Sequence, residues 1–268
     1  MKPFFYLILL FQLFIQYALA DCPRIISQSP YITHQLDYLG LKNCIVGTSR
    51  YDNLKDIPNT GGIIDPDAQA IAQLKPDLWI TSVWTKPEVF QKVLPPNSQG
   101  LRLDSFQGMA QISQNLMDIA DKTKKPEIMH KAKQFSAQWQ NKIKQVNGKG
   151  KKVLLLSSCT GQPYSFGNKT WLAELFTRAR FKLVDNTEGV RHLSKDRTAE
   201  ETQALIAALK PDLIFVFTRQ VADACALIEL PKVSQLVVLN GDNFLHPAPV
   251  LLKGIDELIE KQAIWQQR

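Results

Sequence analysis

The pentapeptide Leu-Lys-Pro-Asp-Leu stands twice in this chain, at Leu74–Leu78 and at Leu209–Leu213. Each copy follows an Ala/Gln-rich stretch of helical character. Each precedes an apolar run, Trp79-Ile80 in the first and Ile214-Phe215-Val216-Phe217 in the second. The segment has the chemistry of a joint. Lysine suits the negative C-terminal end of a helix dipole, proline stops the helix, and the apolar run enters a sheet. Two identical joints, starting at 74 and 209 and so 135 residues apart, predict one α/β unit used twice. Two similar lobes in turn predict a ligand-binding cleft between them.

Strand and helix signals alternate around both joints. In the first half, β-type runs at Arg24–Ser27, Ile45–Thr48, Leu78–Ser82 and Leu101–Asp104 bracket three features. These are an amphipathic helix stopped by Gly40, a turn cluster Asn59–Gly62 leading into a short strand or strand entry at Ile63-Ile64, and a helix capped by Asp67. From Gly108 to Val146 there is no β-signal. Ile112, Leu116 and Ile119 recur at helical spacing, Pro126 interrupts, and a second helix carries Phe135 and Trp139 on one face. The first pattern then restarts with a strand at Lys152–Ser157, a helix at Thr170–Arg178 and a strand at Phe181–Val184. A helix at Glu200–Leu209, strands at Leu213–Thr218 and Leu236–Leu239, and a last helix at Val250–Trp265 complete it. The expected fold is α/β: two Rossmann-like lobes with parallel sheets joined by a long helix. Residues 21–107 form the N-terminal lobe, 108–150 the linker helices and 151–268 the C-terminal lobe. A helical spine of this kind permits only small closure motions.

The first twenty residues differ from the rest. Met1-Lys2 is a short positive start, Phe4 to Ile15 is almost wholly apolar, and Ala18-Leu19-Ala20 has the small-x-small form of a cleavage site. This is the pattern of a secretory signal peptide over 1–20, and it predicts a periplasmic protein. Asp21 before Cys22 argues against lipid attachment there. Four cysteines in an exported chain suit disulfides. Cys22 and Cys44 each precede a strand, and if those strands are parallel neighbours a Cys22–Cys44 bond closes one end of the sheet. Cys159 and Cys225 both follow second-lobe strands, as a second bond or as buried thiols. The net charge of +7 comes with basic runs at Lys122–Lys125 and Lys149–Lys152 that have the form of solvated helix ends. No aromatic residues interleave with them, so nucleic acid is not an expected partner.

Catalytic signatures are absent from the sequence: no G-x-S-x-G elbow, no H-E-x-x-H pair, no Walker loop and no G-x-G-x-x-G. No enzymatic activity and no cofactor are expected. His34, His130, His192 and His246 share no metal-ligand spacing. A zinc or manganese carrier using His34, His192 and His246 is one rival reading, an exported hydrolase using Ser29 or Ser158 a second, and an interaction module a third. Aromatic and polar residues concentrate where strands end. In open α/β sheets ligands meet those ends. The first lobe offers Tyr31, Thr33, Arg50, Tyr51, Trp84 and Phe106. The second offers Gln162, Tyr164, Phe166 and Arg219, then Asp242, Asn243, Phe244 and His246. Such a set suits a large flat apolar ligand with polar edges.

Several segments carry a family resemblance. They are Pro23–Pro30, the Leu39-Gly40 helix stop, Ile45–Tyr51, Leu74–Leu78, Pro163–Gly167 and Asp242–Pro249. Together they resemble the ABC-importer substrate-binding proteins that carry cobalamin, haem and ferric siderophores, the vitamin B12 binding proteins foremost. The resemblance covers essentially the chain from Pro23 to the last helix. It implies a monomer that binds a metal chelate in the cleft and delivers it to an inner-membrane ABC permease. The implied ligand contacts are Tyr51, Trp84 and Tyr164, with Asp242 as the last loop's acid and His246 in place of a basic contact. Two positions depart from the family pattern. The turn at Asn59–Gly62 lacks the tryptophan of the B12 proteins, and the permease-docking glutamates are replaced by Gln69 and Ala204. Asp67, Glu200 and Glu201 are the nearby acids that docking could use instead.

Overall fold

The structure, a computed structural model, describes residues 22–105, 107–158, 163–218 and 234–266. The chain divides into two units, the first ending at Leu103 and the second beginning at Asp104.

The first unit runs β1 (Ile25–Ser27), α1 (Pro30–Leu39), β2 (Ile45–Thr48), α2 (Ala68–Gln73), β3 (Leu78–Ser82), α3 (Pro87–Val93) and β4 (Gln99–Leu103). Its sheet has the order β2-β1-β3-β4, and every pairing is parallel. The central strands β1 and β3 are buried along their whole length, as continuous apolar runs covered on both faces must be. Trp79 stacks on Phe90 with ring centroids 5.1 Å apart, within a core that includes Ile26, Ile71 and Val93. Cys22 and Cys44 are joined, with Cα atoms 5.4 Å apart. The bond sits where parallel β1 and β2 both begin.

The second unit opens with α4 (Met109–Thr123) and α5 (Pro126–Ile143). It continues as β5 (Lys152–Leu156), β6 (Tyr164–Phe166), α6 (Trp171–Arg178), β7 (Lys182–Leu183), β8 (Val190–His192), α7 (Ala199–Leu209), β9 (Leu213–Thr218) and β10 (Gln235–Asn240). The helices α8 (Leu251–Lys261) and α9 (Ala263–Gln266) end it. Here the order is β10-β9-β5-β6-β8, with β7 beside β5. Side chains alternate across β9. Phe215 and Phe217 enter an aromatic cluster with Phe176, Phe181, Phe244 and Trp265, while Ile214 and Val216 pack with Leu154, Leu156 and Ile206.

The repeated pentapeptide does the same work in both units. Lys75 and Lys210 take left-handed backbone angles, φ 44° and 48°, so lysine occupies the helix-ending position that glycine usually fills. Asp77 then brackets the neighbouring strand: its Oδ2 accepts the Arg24 N–H at 2.7 Å, and its own N–H donates to the Arg24 carbonyl at 2.9 Å. Asp212 repeats this on Lys152 at 2.7 and 2.8 Å. The carbonyls of Asp77 and Asp212 accept from the N–H groups of Gln99 and Gln235. The hydroxyls of Ser98 and Ser234 donate to Pro76 and Pro211 at 2.6 and 2.7 Å. Each pentapeptide therefore sets the register of three strands.

Several expectations are corrected. The second sheet is mixed, because β6 runs antiparallel to both β5 and β8; these strands of three residues are too short to leave a periodic signal. Ile63-Ile64 is no strand but a turn inside the Gly61–Pro66 bridge. The helix α3, begun by Pro87 at its first turn, had no counterpart in the sequence reading. The final helix breaks at Gln262. Phe106, Cys159, Gln162, Arg219 and Cys225 lie outside the described residues.

Two outcomes follow for stability. Replacing both Cys22 and Cys44 by serine opens a loop of 22 residues and should lower unfolding free energy by about 3 kcal/mol on the chain-entropy account, read as a shifted urea midpoint. Asp212→Ala orphans the Lys152 N–H and should cost about 1–2 kcal/mol in the same assay, whereas Asp212→Asn, which keeps an acceptor, should cost less.

Candidate functional site

In the first unit the loops after β1 and β2 are fastened to the core by two buried polar networks. Gln28, fully buried, donates from Nε2 to the carbonyls of Thr60 (2.9 Å) and Gly62 (3.2 Å), while its Oε1 accepts from Thr60 Oγ1 and from the indole of Trp79 at 3.0 Å. The turn at 59–62 is thereby tied to the central strand. The second network centres on Asp52, whose two oxygens accept from Thr33 and Ser49, both at 2.6 Å; Thr33 also shares a hydrogen bond with Ser27. Burial pushes the Asp52 carboxyl above the usual carboxylate range, against the lowering effect of the Ser49 and Thr33 hydrogen bonds.

On this frame the unit displays apolar surface. Tyr51 is 61% exposed, Trp84 54% and Ile64 71%, with Val83 beside Trp84 also exposed. Burying such side chains is worth about 1.5–3 kcal/mol each, so their common exposure marks a surface that meets something else. Local hydrogen bonds gather them. Thr85 Oγ1 donates to the Ile63 carbonyl at 2.6 Å, drawing the Ile63-Ile64 turn to the end of β3, and the Trp84 N–H donates to Ser82 Oγ. Arg50 pairs with Asp65 at 2.7 Å, and its N–H donates to Gly61. Gly62 lies under this group: a side chain there would strike the Asp65 carboxylate and come within 3.5 Å of the Tyr51 ring and 3.6 Å of the Arg50 guanidinium. Arg50, Tyr51 and Trp84 are thus brought to one end of the sheet. Tyr31 and Thr33 follow β1 at the same end but do not join the exposed group. Both are buried, Tyr31 donating its hydroxyl to the Leu103 carbonyl at 3.3 Å. Asp52, Gln28 and Ile64 were missed by sequence reasoning, since a lone loop aspartate or isoleucine carries no signal.

In the second unit, Tyr164 and His192 are register partners on β6 and β8. Their rings meet edge-to-face at 5.2 Å. On the opposite face of the same strands, Ser165 and Arg191 both reach buried Asp185. Ser165 donates to its Oδ2, Arg191 Nε lies 3.4 Å away, and Thr187 donates from both backbone and hydroxyl. Burial raises the Asp185 carboxyl, but the Ser165 and Thr187 hydrogen bonds and the Arg191 charge together hold it below the usual range. The sequence places His192 where it could face a cleft, with a structural or hydrogen-bonding role as much as a metal-ligating one; its place beside Tyr164 rests on two strands the sequence does not reveal. A pocket of about 610 Å³ adjoins it, lined by Arg191, Lys195, Asp196, Arg197 and Glu201. Asp242 is exposed at the end of β10, its N–H held by Asn240, and His246 is half-buried. Phe244 is core: fully buried, it packs on Phe217 at 5.1 Å, and its carbonyl accepts from the Trp171 indole.

The rival readings fare poorly. Among the described residues no group of three His, Cys, Asp or Glu could hold a metal ion, so a site built from His34, His192 and His246 has no support. Ser29 is buried, out of a substrate's reach. The acids near Gln69 and Ala204 serve helix ends: Asp67 caps α2 and Glu201 closes the capping box of α7. Glu200 is held below its usual range by its own backbone N–H and the Thr198 hydroxyl.

The two carboxylates titrate with opposite consequences. A raised carboxyl contributes stability when protonated and loses it as pH rises; a lowered one contributes when ionised and loses it as pH falls. Asp52→Asn should therefore cost more at about pH 3 than at about pH 7, and Asp185→Asn more at about pH 7 than at about pH 3. Urea unfolding of both variants at the two pH values checks the crossing.

No protein-family model and no curated protein matches the chain by sequence. Solved structures do. The chain is similar to the periplasmic vitamin B12 binding protein BtuF of Vibrio cholerae, at 18% identity and TM-score 0.68 over 92% of this chain and 99% of that one. It is similar to the periplasmic haem-binding protein RhuT of Roseiflexus sp. RS-1, at 18% and TM-score 0.69 over 91% and 99%. The periplasmic haem-binding protein HutB of Vibrio cholerae gives 17% and TM-score 0.71 over 89% and 98%. At such identities the likeness establishes the fold: this chain is built on the fold that these periplasmic B12- and haem-binding proteins share.

Proposed function

We propose that the chain is an exported substrate-binding protein that takes up a metal chelate (a corrinoid, a ferric siderophore or haem) and delivers it to an ABC permease. The observation that carries this reading is the exposed group Tyr51, Ile64 and Trp84 at one end of a parallel sheet, held in place by a buried polar frame. Large apolar side chains kept in water on a rigid support are what a flat, largely apolar ligand requires. In the first unit Arg50 and Asp65 stand beside this group as polar edges that would fix orientation. The solved structures of similar fold are described as B12-, haem- and iron-binding proteins, which supports the ligand class without choosing within it. The reading needs no catalytic group, and we assign none. Gln69 and Ala204 stand where the family's docking glutamates would be, so docking would use other acids such as Asp67, Glu200 or Glu201, or a different permease.

The absorbance spectrum of protein taken directly from the periplasm tests this most simply, because corrinoids, haem and many ferric chelates are coloured. Titration with cobalamin, haem and ferric siderophores should quench tryptophan fluorescence for one class. Trp84→Ala and Tyr51→Ala should each weaken that binding by about tenfold to a hundredfold, as loss of an aromatic anchor does. A colourless protein that responds to none of the three overturns the reading.

A further inference from the structure

Between Lys122 and Lys152 the chain has ten lysines and one acidic residue, Glu127. Elsewhere it has 22 Lys and Arg against 24 Asp and Glu. The whole positive excess therefore resides in one segment, which is more than the solvated helix ends read from the sequence. The structure arranges it around α5. That helix buries Ile128, Ala132, Phe135, Trp139 and Ile143 and packs against α4 and α8. Its other side carries exposed Lys133 and Lys144, and exposed Lys131 stands on the opposite flank of the buried stripe. Lys133 and Lys144 are eleven residues apart, about three turns, and so lie within about 20° of the same side. Lys142 is tied to Asp256 at 2.7 Å. Lys122, Lys124 and Lys125 cluster where the helix begins, and Lys149, Lys151 and Lys152 follow where it ends.

We propose that this face of the second unit is an electrostatic docking surface for a bilayer containing anionic lipid. Three features favour a bilayer over other anionic partners. None of the large exposed hydrophobic residues lies between 109 and 152, so the face lacks the aromatic or aliphatic anchors on which protein interfaces depend. It lacks stacking platforms for single-stranded nucleic acid. Its lysines are spread along a helix of about 27 Å with Gln and Asn between them, which matches a diffuse planar charge better than a discrete groove. Each lysine near such a surface is worth about fivefold in partition, and salt removes the attraction. The inference rests on the proposed export of the chain; its role would be to hold the protein near a membrane-embedded importer.

Co-sedimentation of the purified chain with vesicles of phosphatidylcholine, with and without phosphatidylglycerol, tests it separately from chelate binding. We expect partition into the mixed vesicles only, reversed by about 0.5 M salt, and reduced about tenfold or more by Lys133→Glu with Lys144→Glu. The milder Lys133→Gln with Lys144→Gln should fall between. Unchanged urea unfolding midpoints of both variants show that they are folded. Equal partition into both vesicle types, partition that survives high salt (insertion of the apolar leader), or retention by DNA or heparin but not by vesicles each overturns the proposal. So does unchanged partition of the charge-reversal variant.

Discussion

The bracket that Asp77 and Asp212 place around the neighbouring strand is the constraint from which both units are built. A parallel sheet has no hairpin to set its register, and slipping by one residue would turn every side chain to the wrong face. Here a carboxylate and its own N–H grip both polar groups of one residue on the adjacent strand, Arg24 or Lys152, and the following carbonyl receives the third strand. Lysine at positive φ turns the chain sharply enough for proline to be buried and aspartate to face the strand. The conformation costs a non-glycine residue about 1 kcal/mol, and its occurrence in both copies shows the joint to be one structural solution used twice.

On that scaffold the first unit separates rigid support from exposed contact surface. Gln28 satisfies its amide with the 59–62 turn and Trp79, so the turn is part of the core although its outer edge faces water. Asp52 does the same for the β2 loop. The exposed aromatics are therefore mounted on backbone that is held from beneath, so little ordering entropy would remain to oppose the proposed binding. In the second unit Asp185 plays the comparable part for Tyr164 and His192, acting through the alternation of side chains across two short strands.

The regular parts of this architecture were legible because their signals are long or chemically sharp. The run Leu213–Thr218 is a strand end to end, and Asp67 caps the helix it precedes. The disulfide was legible once β1 and β2 were read as parallel neighbours. What failed was the assumption that an aromatic at a strand end faces a ligand. Tyr31 belongs to a helical stripe with Ile32, Gln35, Leu36 and Leu39, all buried, and the 3.6 period decides its direction. Phe244 is claimed by an aromatic cluster assembled from residues as distant as Phe176, which no local pattern foretells. The strands β6 and β8 escaped because their partners, not their composition, make them strands.

The placement of the five tryptophans has a spectroscopic meaning. Trp79, Trp139, Trp171 and Trp265 are buried, and Trp84 alone is exposed. A collisional quencher such as acrylamide can reach essentially one indole, at the end of β3, while the other four report on the packing of the two cores. The chain therefore contains, without any label, one optical probe of its surface and four of its interior, separable by solvent access.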